Sequence, residues 1–186
     1  AFYASVYIEH NVGIWNQSYN AEIRTGDPTN STTYDNSWSY IYNNLNNLKD
    51  VITKCSAGGT EDGNYVTLGV AEVLSAYNLG ILADEFVDAP WSEALQPGVI
   101  FQPKLDKQED IYTQIFAFLD DAIANFDKTT VYASLGTQDF IYGGDATKWK
   151  KFAYGLKARY TMHLFLKDPK YAEVITYANQ SLTSAA

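Results

Sequence analysis

Basic residues are scarce in this chain: 13 Lys and Arg stand against 22 Asp and Glu among 186 residues, a formal net charge of −9. A phosphate backbone needs a clustered basic surface, so nucleic acid is disfavoured as a partner. Simple adsorption to anionic lipid is disfavoured for the same reason. Cysteine is reduced to Cys55, which excludes an internal disulfide and a cysteine-built metal site and leaves the redox compartment open. Beside Val51 and Ile52 it reads as a small buried hydrophobe. Only two histidines occur, His10 and His163, far apart and in no His-Glu-x-x-His arrangement, so no metal site is expected. His163, on an apolar helix face, reads as packed rather than catalytic. No glycine-rich phosphate loop is present, and no cofactor is expected. No stretch approaches the roughly 20 apolar residues of a transmembrane helix. The opening Ala1-Phe2-Tyr3-Ala4 lacks the basic region of a signal peptide and reads as a chain that begins inside a larger protein.

Aromatic residues, by contrast, are plentiful: 15 Tyr, 9 Phe and 4 Trp in a chain that is 46% apolar. Tyrosine and tryptophan join an apolar face to a polar edge, which suits core packing first and stacking on sugar rings second. Two acidic clusters, Asp84-Glu85-Asp88 and Asp120-Asp121, supply the residue types of a glycosidase acid and base. Their positions at a helix end and on an outer helix face favour solvation, so catalysis is not expected.

Apolar spacing predicts about six helices and almost no strand, an all-α chain forming a single helical domain over 1–186. Residues 1–9 read as the end of a helix. Residues 10–33 are polar and irregular, with Gly13, Gly26 and Asp27-Pro28 as turn formers; a long loop without its own structure tends to be functional. A helix over about 35–56 places Trp38, Ile41, Tyr42, Leu45, Leu48 and Ile52 on one face and ends at Gly58-Gly59. The next, about 64–86, uses Val66, Val70, Val73, Leu74, Tyr77 and Ile81, while Gly69, Ala71, Ala76 and Gly80 are small enough for a neighbour to approach. After a Pro-rich loop, Asp106 is expected to cap a helix over 106–127, with Glu109 in the capping-box position and Ile111, Ile115, Phe118, Leu119, Ala122, Ile123 and Phe126 on its face. A linker over 128–144 carries a short extended piece at Phe140-Ile141-Tyr142.

Asp145 then caps a helix whose Trp149, Phe152, Ala153, Leu156, Tyr160 and Leu164 share one face, with Lys148, Lys150, Lys151, Lys157 and Arg159 on the rest. Asp168-Pro169 starts a last helix, with Tyr171, Val174, Ile175, Ala178 and Leu182 facing inward. The helices form antiparallel-capable pairs, 35–56 with 64–86 and 106–127 with 145–166, as a helical repeat array would use.

The segment Asp139-Phe140-Ile141-Tyr142-Gly143-Gly144-Asp145, followed by Lys148-Trp149, Lys151-Phe152-Ala153, Leu156-Lys157 and Arg159, closely resembles a phrase of the SusD/RagB-like outer-membrane glycan-binding lipoproteins of the Bacteroidetes. Pro90, Trp91, Glu93 and Ala94 resemble a second phrase of that family, although Glu85-Phe86-Val87-Asp88 replaces its glycine-containing turn. Asp106 through Ile111-Tyr112, Ile115, Leu119 and Ala122 resembles a third. The likeness covers roughly 64–166 and implies a tetratricopeptide-like set of helix pairs decorated by long ligand-binding loops, of which this chain is a part. It further implies surface capture of an oligosaccharide, or of a peptide or other nutrient, and delivery to a SusC-like TonB-dependent transporter as its lid. Attachment to the extracellular face of the outer membrane would come from a lipid anchor outside this chain. The alternative is a helical-repeat module that holds a protein partner and binds no sugar.

The loop between His10 and Thr33 is the expected ligand site. Trp15 and Tyr19 offer flat apolar faces, while Asn16, Gln17 and Arg24 offer amides and a guanidinium for hydroxyl groups. In the family it resembles, ligand-contacting aromatics and amides come from loops in this region, and Trp15 with Asn16 are the best placed to correspond. Trp91 reads as scaffold.

Overall fold

The computed structural model describes residues 2–24 and 35–183, with seven α-helices and one short 3-10 turn, Gly136–Gln138. The helices are α1 (Phe2–Tyr7), α2 (Asn16–Glu22), α3 (Asp35–Cys55), α4 (Tyr65–Phe86), α5 (Gln108–Phe126), α6 (Ala146–His163) and α7 (Tyr171–Gln180). Strand pairing among the described residues is limited to one isolated antiparallel bridge, Ala89 with Asp106. The expected helices all form. The expected loop over 10–33 is interrupted by α2, a correction: Trp15, Tyr19, Ala21 and Ile23 are helix-compatible, and Ala21 with Val6 buries fully enough to hold α2 on α1. Gly26 and Asp27-Pro28 lie outside the described residues.

Two compact units divide the chain, Ala1–Asn43 and Asn44–Ala186, with α3 crossing the boundary. In the larger unit α4, α5 and α6 run antiparallel in turn, because their cross-links ascend one helix while descending the next. Between α4 and α5 the links are Glu72 with Asn125 and Asp84 with Tyr112; between α5 and α6 they are Asp127 with Lys150, Asp120 with Lys157, and Tyr112 with His163. The second expected pair is therefore present. The first is looser than expected: α4 makes its closest approach to α5, and α3 touches it through longer side chains such as Asn44, whose Nδ2 is 3.4 Å from Asn78 Oδ1. Small residues explain the choice. A Cβ at Gly69 would stand 2.7 Å from the Phe126 ring, and one at Gly80 would stand 2.2 Å from Tyr160 Oη, so α5 and α6 rings occupy the space that glycine leaves.

The inward face of α4 differs from the one its larger residues suggested. Leu68, Ala71, Val73, Ser75, Ala76, Leu79, Leu82 and Ala83 are buried, whereas Tyr77 is 37% exposed and Val66, Val70, Leu74 and Ile81 are only half-buried. This helix is apolar nearly all round, so periodicity had little contrast to select a face. By length and composition it could also cross a membrane, which corrects the reading that no stretch is long enough; 72% of that window is buried within the protein, as in a core helix. The apolar faces expected for α5 and α6 are confirmed, with Ile111, Ile115, Leu119, Ala122, Trp149, Ala153, Leu156 and Tyr160 buried. Cys55 is buried as expected, and burial pushes its thiol pKa up.

Three local expectations need correction. Asp106 does not cap α5: its Oδ2 accepts from Trp91 N at 2.8 Å and Ser92 N at 2.7 Å, its Oδ1 from the Ser92 hydroxyl at 2.8 Å. The Gln108 N–H at the head of α5 is taken by Asp88 Oδ1 instead, at 2.9 Å. Phe140-Ile141-Tyr142 is a turn rather than an extended piece, because Asp139 accepts from Ile141 N (2.9 Å), Tyr142 N (3.2 Å) and Gly144 N (2.8 Å) and curls the chain around its carboxylate. No residue of α7 is buried among the described residues; Tyr171 is 52% and Ile175 61% exposed, and only Val174 and Leu182 of the expected inward face are even half-buried. Asp145 caps α6 as expected, accepting from Thr147 N at 2.9 Å and Lys148 N at 3.1 Å.

The end of α4 carries a strained residue. Val87 adopts φ 64°, ψ −96°, where a β-branched side chain is disfavoured, and it is 54% exposed, so little packing opposes its loss. Val87→Gly is expected to raise stability by about 1 kcal/mol, read from the urea midpoint. An unchanged or lower midpoint would mean that the backbone there is not under strain.

Candidate ligand-binding site

The smaller unit builds its exposed surface from a short helix with an aromatic at its head. Trp15 is the N-cap of α2 in extended backbone, φ −150° and ψ 141°, and its carbonyl accepts from Tyr19 N at 3.2 Å. The two side chains are therefore one helical turn apart on one face. They stay open to solvent, Trp15 at 81% and Tyr19 at 47%, with Ile14 exposed beside them. The preceding chain is held close to α2, since Gly13 N donates to Glu22 Oε2 at 2.9 Å and a Cβ on Gly13 would collide with the Ser18 carbonyl.

Arg24 closes the other end of α2. Its Nη2 donates to Tyr7 O at 2.9 Å and lies 3.5 Å from Glu9 Oε1, and its guanidinium stands 5.2 Å from the Tyr7 ring centre. These contacts tie α2 back to the end of α1, so Arg24 is turned toward the protein while Trp15 and Tyr19 present free faces. Asn16 and Gln17 begin α2, and their side chains lie outside the described residues. The arrangement offers an exposed aromatic platform on α2.

The acidic clusters serve structure in the larger unit. Tyr112 donates its hydroxyl to Asp84 Oδ1 at 2.5 Å, and His163 Nδ1 lies 3.1 Å from Asp84 Oδ2 and 3.2 Å from Tyr112 Oη. Burial, followed by the nearby Asp84 carboxylate, pushes the Tyr112 pKa above its ordinary value. This cluster straps the ends of α4, α5 and α6; the sequence showed the residues but not their meeting. Lys157, expected on the polar side of α6, is buried. It pairs with Asp120 and lies 4.5 Å from the Tyr177 ring centre; burial opposes its charge, but Asp120 outweighs burial and holds the pKa above the ordinary lysine value. Asp106 shows the same contest with the opposite charge. Burial disfavours the carboxylate, yet the Ser92 and Trp91 hydrogen bonds and nearby Lys104 hold its pKa below the usual value. No group of three or more metal-ligating side chains occurs among the described residues.

Residues 9–185 match the model of the SusD-like family described as starch-binding associating with outer membrane. A SusD/RagB family protein from Bacteroides thetaiotaomicron is 50% identical, with a TM-score of 0.90 over 98% of this chain and 38% of its own. A SusD-like protein of the Bacteroidetes is 26% identical (TM-score 0.79, 99% of this chain, 33% of its own). A chitin-binding protein is 26% identical (TM-score 0.77, 99% of this chain, 38% of its own). No curated protein matches the chain in sequence. The chain thus spans 33–38% of the length of the solved relatives named here. The helices it contributes share their all-α, tetratricopeptide-like scaffold, and with the match to residues 9–185 they place this chain in the SusD-like family.

Proposed function

We propose that this protein captures oligosaccharide at the outer face of the outer membrane and passes it, chemically unchanged, to a SusC-like TonB-dependent transporter that it covers as a lid. The observation that carries the reading is the open pair Trp15 and Tyr19 on one face of α2. Large aromatic faces normally bury, and two left exposed one turn apart suit the apolar faces of sugar rings. A relative described as chitin-binding and the family's starch-binding description support a glycan as the ligand. Asn16 and Gln17, at the same helix start, would supply amides to the hydroxyls; Arg24 would do so from the far end of α2 only by giving up contacts to Tyr7 or Glu9. A lipid anchor outside this chain would hold the protein at the membrane.

The double variant Trp15→Ala/Tyr19→Ala is expected to weaken binding of chito- or malto-oligosaccharide roughly thirtyfold, about 1 kcal/mol per stacked ring, with the far-ultraviolet circular dichroism unchanged. Retained affinity would sink the site assignment. Purification of the intact protein from native outer membranes in mild detergent tests the partner: a large β-barrel in equal amount is expected. Recovery with soluble partners only, together with no sugar affinity, would favour the helical interaction module.

A further inference from the structure

A second candidate site lies wholly within the larger unit. The C-terminal part of α3, the 89–106 segment and α5 enclose a cleft of about 460 Å³. Small-molecule sites span roughly 300–1,000 Å³, so the space suits a ligand of a few residues or rings. Its wall is apolar, built from Leu45, Ile52, Leu95 and Phe118, with the Trp91 indole at one side, 6.0 Å from the Phe118 ring centre and edge-on to it. The two backbone bonds from Trp91 and Ser92 to Asp106 set the turn that carries this indole before any ligand arrives. Leu95, a non-glycine residue, holds φ 58°, and its carbonyl accepts from Lys49 Nζ at 2.7 Å. Backbone strain of that kind gathers at ligand clamps.

The polar groups of the cleft are divided sharply. Asp106 and Lys49 are committed to the wall, as above. Asp110 and Gln114, one turn apart on α5, also line the cleft, and among the described residues neither side chain has a hydrogen-bond or ion-pair partner.

We infer that this cleft binds a short peptide segment that carries a large apolar side chain next to a positive charge. The apolar side chain fills the space over Leu45, Ile52 and Phe118. Gln114 offers one donor group and one acceptor, the complement of a peptide unit. Asp110 receives the ammonium or guanidinium, whose charge it alone of the two free groups can balance. A neutral sugar could bond its hydroxyls to Gln114 and Asp110, but it brings no positive charge to balance the Asp110 carboxylate. The site shares no residue with the Trp15 platform and does not depend on the glycan reading.

Calorimetric titration of the intact protein with the tripeptide Lys-Leu-Gly tests it, with Glu-Leu-Gly and maltotriose as comparators. Saturable binding of Lys-Leu-Gly is expected, at least tenfold tighter than Glu-Leu-Gly. Asp110→Asn and Gln114→Leu should each weaken it about tenfold, while Trp15→Ala leaves it unchanged. Both substitutions fall on side chains without partners, so the fold is retained, as circular dichroism will verify. Absence of saturable tripeptide binding, or binding indifferent to both α5 variants, overturns the inference. Maltotriose binding that is lost on Gln114→Leu also overturns it and gives the cleft to sugar.

Discussion

Trp149→Ala is expected to lower the stability of this protein by about 4 kcal/mol, in the range of large aromatic deletions from a closed core. The indole is 1% exposed and lies edge-on to Tyr142 at 5.1 Å and Phe152 at 5.9 Å between ring centres. Its Nε1 donates to Asp139 Oδ2 at 2.6 Å. Burial opposes ionisation of that carboxyl, but the indole and the backbone N–H groups of Gly144, Ile141 and Tyr142 outweigh it and hold the pKa below the ordinary value. Trp149→Phe keeps an aromatic ring and deletes the donor, so its expected cost is smaller, about 2 kcal/mol. Urea unfolding of both variants separates packing from hydrogen bonding. An alanine variant within about 1 kcal/mol of the parent protein would refute the core assignment, since that is the loss of an ordinary substitution.

A pH-dependent loss of stability is expected from Glu72, which is buried on α4 and accepts from Asn125 Nδ2 at 2.8 Å. Burial raises its pKa from 4.5 to about 7; the Asn125 bond opposes that shift, the Asp121 charge adds to it, and Lys128 partly offsets it. Between those two values the folded chain holds a proton that the unfolded chain has released. Stability from this group is therefore complete below about pH 4.5, falls as pH rises through about 7, and is gone above it. The whole change amounts to about 3 kcal/mol. Glu72→Gln removes the titration: near pH 8 it should be more stable than the parent by about 2 kcal/mol, with the advantage shrinking toward pH 5. The difference between the two urea midpoints, followed over that range, isolates Glu72 from every other titrating group. A difference that does not change with pH would rule out the assignment.

Both predictions depend on residues whose roles were unequally legible in the sequence. Trp149 sat in an unambiguous helical face behind an Asp145 cap, and both were found where spacing placed them. Glu72 offered no such signal. It lies on α4, whose face could not be chosen by periodicity, and only the approach of α5 turns it inward. Asp106 and Asp88 show a similar limit. Either carboxylate could serve the start of α5, and the Ala89 to Asp106 bridge decides by pinning Asp106 against Trp91 and Ser92. Asp139 is another case, because a carboxylate that gathers four N–H groups leaves no periodic trace in the chain. In the candidate ligand site, aromatic and amide composition drew notice to Trp15 and Tyr19. Their shared exposed face, and the engagement of Arg24 with Tyr7 and Glu9, came from α2, which lay hidden in what read as loop.

The amino-acid sequence by itself determined the number and extent of the long helices, the cap of α6, the apolar faces of α5 and α6, and the family, through phrases in which local spacing and chemistry coincide. These are short-range properties, set by the 3.6-residue period and by donors and acceptors a few positions apart. Tertiary structure alone decided which face of α4 is buried, which helix approaches it most closely, where Lys157 and Glu72 hide, and that the apolar face of α7 remains open among the described residues. Those outcomes depend on side chains distant in sequence competing for the same space. Spacing can mark a helix as apolar on one side or on all sides, but the element that fills the gap over Gly69 or Gly80 is chosen by packing.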